Sequence, residues 1–217
     1  MPRAVRFGTA GATGTGLVAA IMGLMFINLA GFQIVWFTTV LSAAGGLPWV
    51  GPVVVVVAVA AHLRLMPGVC SSEGMLLGAA AVVGYALDCI LFVSGLLSAM
   101  PGAELFGPSP LWMVGLWIAF AATLRHSLAW LGSRYFLGAV VGAVAGPLAY
   151  RGGELLGALS IDGTPGLLAV SIEYLIAMPA LMWLMRWLER DFGTANSCQA
   201  GDGAEARQQV PIEESHS

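Results

Sequence analysis

Apolar residues run in long unbroken stretches along this chain, with no alternation and no single helical stripe. Six such stretches, about 17–43, 49–66, 75–99, 110–131, 135–159 and 165–188, are parted by breakers: "GGLPWVGP", "MPGVCSSEG", "MPGAELFGPSP", "LGSR" and "SIDGTPG". A helix needs about 20 predominantly apolar residues to cross a bilayer. Strands of a membrane barrel would instead alternate apolar and polar positions. The pattern therefore predicts an all-α polytopic membrane protein, six transmembrane helices in one bundle. The basic start, Arg3 and Arg6, precedes an apolar run too long for a signal peptide, so the first helix is expected to be retained. Three parts follow: a flexible N-terminus (1–16), the helical domain (17–189), and a tail (190–217) whose composition cannot bury a core and is expected to be disordered.

Composition supports this class. The chain is 58% hydrophobic and 10% charged, with no lysine, whereas soluble domains carry roughly 25% charged residues. No basic patch exists to hold a nucleic acid. Cys70, Cys89 and Cys198 have no paired spacing, so free thiols are expected.

Arginine placement orients the bundle. With six helices, Arg3, Arg6, Arg64, Arg125, Arg134, Arg186, Arg190 and Arg207 fall on the side of the termini, and Arg151 falls opposite. The positive-inside rule then puts both termini in the cytoplasm.

Polar residues within the stretches sort by depth. At about 1.5 Å per residue, Asp88 lies near the midpoint of the third helix, with Gln33 and Asn28 close to that of the first. Glu173 and Arg151 lie about 5–6 Å outward, and His62 and His126 about 7 Å inward. Such groups need partners in hydrocarbon. The two histidines are expected to approach each other or share a cavity. Arg151 is expected to contact a carboxylate, with Glu154 or Glu173 preferred and Asp88 the third choice. Arg125 reads as an interfacial anchor whose long side chain snorkels. His126 reads either as a helix–helix hydrogen-bonding group, to Ser127 or a carbonyl, or as a functional one. Gly138, Gly142 and Gly146, then Gly153 and Gly157, stand four apart and suit close helix packing. Pro147 interrupts that helix and frees a carbonyl. Several of the seven tryptophans suit interfacial anchoring.

Motifs for familiar chemistry are missing. No histidine cluster for a di-iron centre, no GxxxxGK[ST], no GxSxG and no lysine for a Schiff base occurs. No metal site and no cofactor are expected. Haem ligation by His62 and His126 would rest on their equal depth alone.

The segments "NLAGFQIVWF" (Asn28–Phe37), "PLWMVGLWIAFAATLRHSLAWL" (Pro110–Leu131) and "GAVVGAVAGPLAYRGGELLGA" (Gly138–Ala158), with His62 and Asp88 between them, carry a resemblance. Their order and spacing resemble the bacterial inner-membrane family catalogued as domain of unknown function 2878, over about Phe26 to Glu189. Gln33, Trp36, His62, Asp88, His126, Ser127, Pro147, Tyr150 and Gly152 are the family-like positions. The resemblance implies a fold and a bacterial inner (cytoplasmic) membrane location, and no defined activity. Its members' neighbourhood to genes for fatty-acid methyltransferases implies a setting of membrane-lipid chemistry.

The expected function is binding, or helping to modify, a lipid or other apolar small molecule. His126, His62 and Asp88 are the catalytic candidates. Gln33, Trp36, Tyr150, Arg151 and Glu173 are the ligand-binding ones, with Arg151 on an anionic head group. Membrane lipids and a membrane-protein partner are the expected associates. The alternatives are a small proton-coupled transporter, with Asp88 and Glu173 titrating, or a non-catalytic scaffold of a membrane complex.

Overall fold

The computed structural model describes the backbone of residues 14–65 and 70–208. Expectations for Arg3, Arg6 and most of the N-terminal segment, and for the side chains of Cys70, Cys198 and Arg207, lie outside the described residues. Six α-helices follow in order: α1 (Gly14–Ala44), α2 (Val50–Leu65), α3 (Cys70–Val93), α4 (Leu111–Leu124), α5 (Tyr135–Leu155) and α6 (Gly163–Gln208). They fall in the six apolar stretches. Three of them contain runs long and apolar enough to cross a membrane, Met22–Ala44, Ser72–Val93 and Gly163–Asp191, and α2 and α4 hold shorter apolar runs. The surface agrees: Phe26, Ile27, Val56, Val82 and Phe136 are all exposed, a density of outward apolar side chains that suits lipid rather than water.

Glycines in the left-handed region follow three helix ends: Gly46 within a predicted breaker, and Gly95 and Gly157 a few residues before the expected ends of their stretches. Pro110, extended at φ −64° and ψ 139°, precedes the first turn of α4. α6 is helical through Gln208, beyond Asp191, where composition marks the start of the tail.

The packing places α4 against α1, α2 and α3, and α3 and α5 against α6. The glycine ridge of α5 makes the α5–α6 contact close. A Cβ at Gly142 would stand 2.8 Å from the Tyr174 carbonyl oxygen, and one at Gly146 2.5 Å from the Tyr174 ring. Gly157 does not extend this ridge; it lies past the helix end at φ +86° with open space around it. Pro147 cannot donate to the Ala143 carbonyl, and Ser171 Oγ of α6 donates to it instead at 2.7 Å.

Two features depart from the expected all-helical pattern. A two-stranded antiparallel ladder, β1 (Leu97–Ala99) with β2 (Leu159–Ile161), joins the segments after α3 and α5, in register Ser98 to Ser160. Its buried Leu97, Leu159 and Ile161 cap the apolar core at that end. The second concerns α4, expected to reach residue 131. It stops at Leu124, and a 3-10 turn follows at Ala129–Leu131. The Thr123 carbonyl accepts from both the His126 and Leu128 amides, which closes the turn. That turn takes Arg125 and His126 off the helical row and aims them at α2 and α3.

Candidate functional site

Two polar places are built into this apolar bundle. We call the end where α1 begins the proximal end and the other the distal end.

The first lies in the distal half, around a cavity of about 450 Å³. Phe32, Gln33 and Trp36 of α1, Phe120 of α4, Tyr150 of α5 and Tyr174 of α6 are among the residues that line it. α1 packs on α2 and α4, and α5 packs on α6. The cavity fills the groove left between α1 and α5. At its distal end Trp36 lies over Gly152, where a Cβ would come within 3.1 Å of the indole. At its proximal end Ser127 Oγ stands 2.6 Å from Asn28 Oδ1 and bonds the Met25 carbonyl at 2.8 Å, tying α1 to the turn after α4. The lining is mostly apolar, with Gln33, Thr123 and the hydroxyls of Tyr150 and Tyr174 as its polar groups. Thr123 donates to the Phe120 carbonyl and Tyr150 to Asp88, whereas Gln33 is exposed on the groove's edge and its amide makes no hydrogen bond among the described residues.

Behind the groove stand two buried carboxyls. Asp88 accepts from Trp117 Nε1 at 2.9 Å and from the Tyr150 hydroxyl. Gly84 makes room for the Trp117 ring, which stacks on Tyr174 with centroids 4.8 Å apart. Glu173 lies beside Asp88. Both Glu173 oxygens are buried, and apart from the neighbouring Asp88 carboxyl they have no hydrogen-bonding group beside them among the described residues. Neither carboxyl has an ion pair there.

The second place is proximal. His62, in the last turn of α2, and His126 meet edge to face with ring centroids 5.2 Å apart. The expected approach of the two histidines is thus present in the structure. So short a separation leaves no room for a haem macrocycle between the rings. Glu73 joins them from the first turn of α3, its Oε1 3.2 Å from His62 Nε2. Its Oε2 lies 3.2 Å from Arg125 Nε, and Arg125 also donates to Ser72 Oγ at 3.0 Å. Arg125 is therefore no snorkelling anchor. Its side chain is only 8% exposed, because a carboxylate waits for it inside the bundle. Glu73 had no place among the sequence candidates, since it sits in the "CSSEG" breaker. The available clue was position: a carboxylate at the start of α3 falls at the same end as His62, and a helix N-terminus favours it.

Arg151 pairs with Glu154, one of its expected partners, and with neither Glu173 nor Asp88. Its side chain is 54% exposed at the distal surface, so it reaches solvent-side charge and does not need the buried acids. Glu154 also accepts from the Ile161 amide at 3.0 Å, anchoring β2 to α5. Of the expected ligand-binding set, Gln33, Trp36 and Tyr150 line the cavity, while Arg151 and Glu173 do not. Of the catalytic candidates, His62 and His126 come together away from the groove, and Asp88 stands behind Tyr150. Trp112 and Trp117 are buried rather than interfacial. Trp112 Nε1 donates to the Ala103 carbonyl at 2.9 Å and holds the loop before α4.

These features define an all-helical protein of membrane type with a lateral apolar groove. The chain belongs to the family described as Protein of unknown function (DUF2878), whose model matches residues 25–188. No curated protein and no solved structure matches the chain.

Proposed function

We propose that this chain is a six-crossing membrane protein, both termini cytoplasmic in a bacterial inner membrane, that binds one lipid or similar apolar molecule in the α1–α5 groove. Gln33 carries the reading. An amide facing hydrocarbon without a partner is costly, and here it sits at the mouth of an apolar cavity. A ligand with an apolar body and one hydroxyl or carbonyl would satisfy the amide and fill the space. The volume falls within the roughly 300–1,000 Å³ of small-molecule sites. The opening faces sideways, as entry from a bilayer requires. Binding rather than modification is favoured, because the histidines lie elsewhere.

Native mass spectrometry of the purified chain tests this. One lipid-sized adduct per chain is expected, and it should be lost in Ala149→Trp, which fills the groove. An unchanged adduct pattern in that variant would refute the reading. A phosphatase fused after Pro101 should be active and one after Arg190 inactive; the reverse would end the six-crossing arrangement.

The facing carboxyls favour a second reading, a proton-coupled carrier, since a pair without a cation can hold an exchangeable proton or small cation. An infrared band from a protonated carboxyl, present in the native chain and lost in Glu173→Gln, would support it. No such band would exclude the proton.

A further inference from the structure

We propose that His62, Glu73 and His126 form a binding site for one divalent transition-metal cation, of the zinc or ferrous type. Three separate elements bring these side chains together: the end of α2, the start of α3 and the turn after α4. One ligand atom from each lies within 4.8 Å of the other two. Donors about 2.0–2.2 Å from a tetrahedral metal stand about 3.4 Å apart. His62 Nε2 and Glu73 Oε1 already stand at 3.2 Å. A small rotation of the His126 ring would complete the set. Two imidazoles and a carboxylate suit zinc or ferrous iron better than calcium or magnesium, which take oxygen ligands. Three protein donors leave a coordination position open, the arrangement of a reactive rather than a purely structural site.

Glu73 and Glu189 both face Arg125, at 3.2 and 3.9 Å, and Arg186 and Arg190 line a pocket with Glu189, so the geometry of the three donors, rather than a local charge excess, points to the cation. Arg125, itself bonded to Ser72 Oγ, faces Oε2 of Glu73, and Oε1 is turned toward His62. Outer-shell contacts of that kind orient metal ligands. The break in α4 also gains a reason: a continued helix would not turn His126 toward α2 and α3.

The test uses the full chain in detergent, purified with a histidine-free tag. Titration with Zn²⁺ should show one tight site per chain and a raised unfolding temperature, and Co²⁺ should give a visible ligand-field band. His62→Ala, His126→Ala and Glu73→Gln should each weaken Zn²⁺ binding at least ten-fold and remove the Co²⁺ band. His216→Ala should retain both. Elution as a single species without metal shows that a variant still folds. Absence of a stoichiometric site in the native chain would overturn the proposal. So would equal Zn²⁺ affinity in a folded His126→Ala chain. Failure here would leave the groove reading intact, because none of the three ligands lines the cavity.

Discussion

Arg125 and Arg151 show how burial sets what one ion pair is worth. Arg125 and Glu73 are both nearly enclosed, at 8% and 3% side-chain exposure. Removing the cation strands a carboxylate, and breaking a buried pair costs about 3–5 kcal/mol. Arg125→Ala should therefore lower the unfolding temperature strongly, and adding Glu73→Gln should recover much of the loss. If the double variant melts no higher than the single, Arg125 does not serve to neutralise Glu73. Arg151 is half exposed beside Glu154, where a surface pair contributes about 0–1 kcal/mol. Arg151→Ala should scarcely move the melting curve. At this scale the sequence was partly legible. Depth counting found that His62 and His126 are level and that Arg151 needs a carboxylate. It could not find Glu73, because a residue in a breaker carries no depth until the helix start is known. Nor could it rank Glu154 over Glu173, since that choice depends on which way the helix faces.

The helices themselves were legible, because long continuous apolar runs between breakers favour helix, and three of them hold a run of bilayer length. Their ends were less so where tertiary contacts decide them. Leu124 ends α4 inside an apolar run, and the ladder pairs Leu97–Ala99, which reads as the end of one apolar stretch, with Leu159–Ile161, which straddles the end of another. Glycine spacing foretold close packing of α5 but neither its partner α6 nor which glycines make the contact. Gly142 does; an added Cβ would meet the Tyr174 carbonyl oxygen at 2.8 Å and Met178 Cβ at 2.9 Å, neither able to swing away. Gly142→Ala should cost about 1–3 kcal/mol through overpacking. Gly78 of α3 is the control, with nothing within 4 Å. Gly78→Ala should stabilise by roughly 0.5–1 kcal/mol, the helix preference of alanine over glycine. Thermal unfolding of the two variants side by side checks the contrast, and similar shifts of one sign would mean that the α5–α6 interface is looser than described.

At the scale of the molecule, the bundle is a scaffold that keeps α1 and α5 apart while closing the gap at both ends. Trp36 over Gly152 is the distal closure, and Ser127 with Asn28 the proximal one. Between them the groove is open to the side, with Phe120 on the central helix α4 at its wall. The sequence singled out Gln33, Trp36 and Tyr150 as ligand-binding candidates, yet only the fold shows that they border one space. Photo-labelling tests this most directly. The chain is placed in vesicles containing a phospholipid with a diazirine on one acyl chain, irradiated, and its adducts mapped by mass spectrometry. The account predicts adducts concentrated on Phe120, Phe32 and Gln33, and their loss in Ala149→Trp. Adducts spread evenly over the outward faces of α2 and α6, at Val56, Val57, Ile172 and Ile176, and unchanged by that substitution, would contradict it.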